Sequence, residues 1–300
     1  MTLAPIALFV YNRPGHVVRV VEALARNPEA LRSRLIVFSD APRVPEIADQ
    51  VARVRATARQ AKGFFSVEVV EQTVNLGVAR SVIQGVGRLL EQFGKIIVLE
   101  DDLLPSPHFL GYMNAALDRY ESDERVISIH AYSYPVDEQL PETFFLRGAD
   151  CWGWGTWKRG WDLFDSDAEK LLAELERRKL THEFDFESSY PYTGMLRACI
   201  EGRNDSWAIR WYASAFLMGK LTLYPGSSQI QNIGVDGSGR HLGTTSLFTH
   251  QKWGRAVSVG EIPVEESAFG RDSFRRFMRK VARPSPAQRF LRGLKRLIAA

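Results

Sequence analysis

Three hundred residues, 45% of them hydrophobic and 25% charged, make an ordinary globular composition with enough apolar side chains for a full core. No uninterrupted apolar run reaches the ~18 residues that span a bilayer, and two cysteines without motif spacing give neither a zinc site nor a disulfide framework. The net charge of +4 is uneven: residues 271–300 hold ten Lys or Arg against one Asp, leaving the first 270 at −5, which argues against nucleic-acid binding by the main body.

The N-terminus runs straight into Ile6-Ala7-Leu8-Phe9-Val10 without a charged leader, so the chain is expected to stay in the cytoplasm, with Cys151 and Cys199 as buried free thiols. Strand-like runs at 5–11, 34–39, 65–70, 95–100 and 125–130 alternate with helical patterns at 15–26, 44–61, 78–93 and 106–121. Four such units in order predict an α/β fold, a mostly parallel sheet with helices on both faces. Asn75-Leu76-Gly77 precedes the third helix, and Pro105 and Pro107 the fourth. After residue 131 the alternation fades into an irregular, aromatic half: Tyr132, Tyr134, then Cys151-Trp152-Gly153-Trp154-Gly155-Thr156-Trp157. Helical patterns return at 165–179 and 206–218, a short strand is expected at 220–224, and 234–243 reads as a flexible loop. One domain over 1–262 is expected, in halves 1–130 and 131–262, followed by a basic tail over 263–300.

The most informative stretch is Ile96-Ile97-Val98-Leu99-Glu100-Asp101-Asp102, a buried strand ending in three consecutive carboxylates. Their mutual repulsion calls for a divalent metal, a basic side chain or a hydrogen-bonding sugar. In an open α/β sheet that edge is also where ligands bind. A solvated acidic turn is the plain alternative, although Ser106 is available to cap the following helix.

Four features in order, Tyr11-Asn12-Arg13-Pro14, Ser39-Asp40, Asn75-Leu76-Gly77-Val78-Ala79-Arg80 and Glu100-Asp101-Asp102, resemble the nucleotide-sugar-binding half of a GT-A glycosyltransferase. With the Gly-Trp-Gly region the pattern, over roughly 4–245, is most similar to N-acetylglucosaminyltransferase I-like and family 2-like inverting sugar transferases. The resemblance implies a UDP-sugar donor, N-acetylglucosamine in the closest type, and Mn2+ or Mg2+. It implies Asp102 as metal ligand, Asp101 at the ribose, Glu100 at donor-sugar hydroxyls and Asp40 at the uracil N3–H. Tyr11, Asn12 and Arg13 would line the nucleotide, one stacking on the base and Arg13 pairing with phosphate. Asn75 and Gly77 would let the backbone approach it, with Arg80 one helical turn inside. Helix capping or turn formation explains Asp40 and Asn75 as well.

Inverting transfer needs a base for the acceptor hydroxyl. Asp205 matches the family's Asp-Asp-Trp segment, with N-capping of the 206–218 helix as its alternative and Asp150 as second choice for base or acceptor contact. Trp152 and Trp154, on what reads as a glycine-rich loop, are candidate sugar platforms or plain core residues. His241 is a candidate second metal ligand.

Residues 287–298 place Ala287, Phe290, Leu291, Leu294, Leu297 and Ile298 opposite Arg289, Arg292, Lys295 and Arg296, and Phe274, Phe277, Met278 and Val281 repeat the pattern before Pro284. Amphipathic basic helices of this kind lie on anionic membranes, the alternative being packing onto the domain. Membrane attachment through 271–300 would place the enzyme at the inner face of the cell membrane, with a glycan or lipid-linked acceptor of bacterial surface polysaccharide assembly. A sugar nucleotidyltransferase, which releases pyrophosphate, or a non-catalytic glycan-binding scaffold are the competing functions; the loop after the first strand lacks the former's glycine-rich phosphate cradle.

Overall fold

The computed structural model describes residues 3–237, 246–249 and 253–282. In chain order the elements are β1 (Ile6–Val10), α1 (Pro14–Ala25), β2 (Arg34–Ser39), α2 (Ala48–Arg59), β3 (Ser66–Glu71), α3 (Gly77–Phe93), β4 (Lys95–Glu100), β5 (Leu103–Pro105), α4 (Phe109–Arg119) and β6 (Val126–His130). The second half adds β7 (Thr143–Arg147), β8 (Trp154–Trp157), α5 (Lys158–Trp161), α6 (Ala168–Arg177), α7 (Thr181–Phe184), α8 (Tyr192–Ile200), α9 (Trp207–Leu217), β9 (Leu221–Pro225), β10 (Ile230–Asn232) and α10 (Ala268–Ala282).

Eight strands form one sheet in the order β3-β2-β1-β4-β8-β6-β9-β7, and β10 pairs with β5 in a separate ribbon. β1, β2, β3 and β4 pair in parallel, as do β6 and β9, whereas β8 and β7 run antiparallel to their neighbours. The two-residue period of each strand sorts the core onto two faces. Ile6, Leu8 and Val10 meet α1, α2 and α4 through Val17, Leu24, Val54 and Leu117. Ala7 and Phe9 face the other way, onto Val82, Val86 and Leu89 of α3 and Trp211 and Ala215 of α9. Edge strand β3 carries Glu68 and Glu71, charges that blunt edge pairing.

Two expectations change. The Trp154-Gly155-Thr156-Trp157 stretch is a strand, β8, inserted between β4 and β6, with Gly155 at the point where a Cβ would come within 2.9 Å of the Ile96 carbonyl. The tail, moreover, does not begin as a free membrane helix. Residues 253–267 run as a strap, with Gly254 N–H donating to Ser228 O and Ser267 N–H to Phe145 O. α10 then buries Phe274, Phe277 and Met278 against Tyr134, Phe144, Tyr224 and Phe248. Arg276 pairs with Glu138 at 2.7 Å and Lys280 with Asp137 at 2.7 Å. The apolar face of this segment is spent on the fold, so lipid has no claim on it. The second amphipathic stretch, 287–298, lies outside the described residues.

Candidate active site at the acidic strand end

β4 ends at Glu100, and the chain turns through Asp101 and Asp102 into β5. Arg13, from the loop between β1 and α1, closes on that turn: its guanidinium donates to Asp101 and, at 2.9 Å, to Asp102 Oδ2. The Tyr11 backbone N–H donates to Asp101 Oδ2 at 3.3 Å. Asp101 is 3% exposed, while the Asp102 side chain keeps 19% of its surface open. Pairing of β10 with β5 brings in the next wall: Ile233 N–H donates to the Asp102 carbonyl at 2.8 Å. A Cβ on Gly234 would sit 2.5 Å from Asp102 Oδ2, so only glycine leaves that carboxylate its place.

One guanidinium incompletely compensates three carboxylates. Burial, then Asp102 and Asp101, push the Glu100 carboxyl up to about 8, with Arg13 opposing them. Burial also raises Asp101, against the pull of Arg13. Desolvation alone would lower Arg13, but the two aspartates outweigh it and hold it charged. A further cation would relieve this excess.

Mg2+ or Mn2+ takes hard oxygen ligands, often one or two carboxylates with phosphates and water completing the sphere. Asp102 fits that pattern, because Arg13 holds it through Oδ2 alone. No group of three or more His, Cys, Asp or Glu side chains converges for a metal among the described residues, so ligand phosphates would have to complete the sphere. His241, expected as a second ligand, lies outside the described residues.

The other expected donor residues line the same rim with different tasks. Asp40 is 7% exposed, and its carboxylate accepts from four donors. Ala41 and Leu76 N–H reach Oδ1, each at 2.9 Å; Gly77 N–H reaches Oδ2 at 2.8 Å and Asn75 Nδ2 at 3.0 Å. Those four contacts match the four lone-pair positions of a carboxylate. Asp40 therefore brackets the turn into α3, where Gly77 has a φ of +74°, and a uracil N3–H would have to displace one of these donors. Asp101, expected at a ribose, is likewise turned inward, and Arg13 is committed to the acidic tip rather than held out for phosphate. The Tyr11 hydroxyl accepts from Arg43 N–H at 3.0 Å, and Asn12 Nδ2 donates to Gln50 at 3.2 Å. Arg80 is exposed.

Trp154 is not a sugar platform. It is 1% exposed, with ring centroids 5.4 Å from Trp207, 5.6 Å from Trp161 and 5.8 Å from Trp211. The strand period drives it into the α3–α9 face while Trp157 enters the opposite one. Trp152, half-buried, packs edge-on to Tyr132 at 4.7 Å and Phe248 at 5.3 Å.

Asp205 pairs with Arg210 at 2.7 Å and its side chain is 73% exposed. It does not cap α9: Ser206 does, accepting from Ile209 N–H. Asp150 sits instead in a polar cluster invisible in the sequence. Tyr134 donates to its Oδ2 at 3.1 Å, Tyr224 lies at 3.5 Å, and His130 Nε2 at 3.6 Å. His130 is fully buried with neither ring nitrogen hydrogen-bonded. Tyr134 stands out in the sequence only as one aromatic among many; pairing of β6, β8 and β9 is what assembles the group. Gly234 was equally silent, read there as part of a loop.

No curated protein matches the chain. Among solved structures, TarS from S. aureus aligns at 15% identity over 48% of this chain and 24% of its own, with a TM-score of 0.31. The mannosyltransferase PcManGT from Pyrobaculum calidifontis, in complex with GDP-Man and Mn2+, aligns at 11% identity over 72% of this chain and 69% of its own, TM-score 0.37. Glucosyl-3-phosphoglycerate synthase from Mycobacterium tuberculosis, in complex with Mn2+, UDP and glucosyl-3-phosphoglycerate, gives 13%, 59%, 67% and 0.33. The chain thus spans about a quarter of the TarS structure and 49% of its 1–349 fragment. Glycosyl transferase family 2 matches residues 6–177, from β1 through α6 with the acidic tip inside. That span exceeds half of the sequence, and the chain belongs to glycosyl transferase family 2.

Proposed function

We propose that the protein transfers a glycosyl group, with inversion, from a nucleoside-diphosphate sugar to a hydroxyl acceptor, using a divalent metal at Asp102. The observation that carries this reading is the run of three carboxylates at the C-terminal end of β4, met by the Arg13 guanidinium and lying within the family-matched span. A departing diphosphate carries concentrated negative charge, and a metal bound there supplies Lewis-acid stabilisation. Asp102 binds that ion, Arg13 keeps Asp101 and Asp102 in place, and exposed Arg80 adds positive charge near the start of α3. UDP-N-acetylglucosamine is the first donor to try, on the Glu-Asp-Asp resemblance.

The test is UDP binding with and without Mn2+. Wild type gains thermal stability from the pair and releases UDP from a UDP-sugar; Asp102→Ala loses both. Release of pyrophosphate instead of UDP, or no difference between the two proteins, overturns the assignment.

A lipid-linked or surface-glycan acceptor at the inner membrane face rests on the basic pattern of 287–298. Vesicles rich in anionic phospholipid should then sediment the full chain and not a variant with Arg292, Lys295 and Arg296 all changed to Glu. Equal sedimentation refutes this part alone.

A further inference from the structure

We infer that Asp150, oriented by Tyr134 and Tyr224 beside the acidic tip, is the base that deprotonates the acceptor hydroxyl. This rests on the transfer proposed above and names the residue on which it turns.

Position is the first argument. β8 is antiparallel to β4 in the register Lys95–Trp157 through Val98–Trp154. That ladder sets the start of β8 at the C-terminal end of β4, the end that carries the acidic tip, and Asp150 lies in the segment that leads into it. The β6 side agrees: Ala131 N–H donates to the Gly153 carbonyl at 2.7 Å, and Tyr134 reaches Asp150. Gly153 has a φ of +70°, and a Cβ on it would come within 2.7 Å of Ile230. Gly153 therefore packs against Ile230 of β10, the strand that leads to Gly234 at the Asp102 carboxylate. The Cys151 thiol records the same closeness: after burial, the charges of Asp150, Glu100 and Asp102 raise it well above its ordinary value.

Electrostatic setting is the second. Asp205 is engaged by the Arg210 guanidinium at 2.7 Å with most of its side chain in solvent. Among the described residues no Lys or Arg pairs with Asp150; His130 Nε2 lies 3.6 Å from it, and burial lowers the pKa of that imidazole. The phenols sit at Oδ2, Oδ1 accepts from Cys151 N–H at 2.8 Å, and 20% of the side chain is open to an incoming group.

The step balances within the proposed reaction. The acceptor hydroxyl gives its proton to Asp150 Oδ1 as its oxygen bonds to the anomeric carbon. The bond from that carbon to the diphosphate breaks, its electron pair leaves with the diphosphate, and Asp150 returns the proton to water.

Asp150→Asn keeps the size and one acceptor oxygen, so the full-length variant can be compared at equal folding. With UDP-N-acetylglucosamine or UDP-glucose, Mn2+ and water as acceptor, UDP release should fall by about 100-fold or more. Affinity for UDP with Mn2+ should stay within about twofold, the part of the reading that a general base does not touch. Azide, an anion that needs no deprotonation, should restore UDP release in this variant and give the inverted glycosyl azide. Full activity in Asp150→Asn, loss without azide rescue, or loss of UDP affinity in parallel each overturns the assignment. So does azide-rescued loss in Asp205→Asn. A wild type that releases no UDP with either donor, from water or azide, overturns the transferase reading itself.

Discussion

Replacing Asp40 with alanine separates two accounts of one carboxylate. In the structure it is a bracket, buried and accepting from Ala41, Leu76 and Gly77 N–H and from the Asn75 amide. Hydrogen bonds to a charged acceptor contribute about 1.5–3 kcal/mol each, and an N-terminal helix contact about 1 kcal/mol. Truncation strands Leu76 and Gly77 N–H at the start of α3, where both residues are partly open to water that replaces some of the lost bonding. The net cost should be about 3 kcal/mol, read as a shift in urea midpoint at unchanged slope. Asp40→Asn should cost nearly as much, because its amide would turn a donor toward the Gly77 N–H. Destabilisation below about 1 kcal/mol, together with loss of UDP affinity, would refute the bracket and return Asp40 to recognition of the base.

Gly234→Ala should weaken Mn2+-dependent UDP binding, since the new methyl would displace the Asp102 carboxylate, whose Oδ2 lies 2.5 Å away; unchanged metal dependence counts against Asp102 as ligand. Burial lowers the His130 pKa against the opposing pull of Asp150, so the folded state binds fewer protons than the unfolded one below the ordinary value of 6.5. Wild type should therefore lose stability as pH falls through that value, by up to about 1.4 kcal/mol per pH unit. His130→Gln should flatten this contribution in urea midpoints measured from pH 8 to 5, and equal slopes refute it. Phe274→Ala should cost about 3–5 kcal/mol of unfolding free energy, as a core residue does; an unaltered stability would restore the free-tail picture of α10.

The regular half of the fold was legible because its signal is local. Apolar runs in β1, β2 and β4 and the helical periods of α1 and α3 each report burial of their own neighbourhood, and the carboxylates after Leu99 announce a strand end by charge alone. β8 was misread because glycine between tryptophans marks a loop by propensity, whereas here Gly155 admits the Ile96 carbonyl and the tryptophans fill two opposite cores. α10 was misread for a related reason: an amphipathic basic helix looks the same whether its apolar face meets lipid or Phe144 and Tyr224. At the site, the sequence located the acidic tip but not the consumption of Asp40, Asp101 and Arg13 by one another's loops. Pairings such as Arg13 with Asp101, 88 positions apart, leave no trace in composition or period.

Interleaving of the two halves decides what can move. β8 comes from the second half of the chain yet lies between β4 and β6 of the first, and β9 and β7 extend the same sheet. A cut after residue 130 would leave β4 and β6 without their shared neighbour and strand the backbone donors and acceptors that β8 satisfies, so residues 1–130 do not form an independent unit. β4 is thus paired on both sides, by β1 through Glu100 and by β8 through Val98. Carboxylates at the end of so constrained a strand are held in place before any ligand arrives, which is the condition under which fixed charge contributes most to a transition state. Adaptation to donor and acceptor is left to the connecting segments around the tip, where Gly77, Gly153 and Gly234 lie, and not to a hinge between halves.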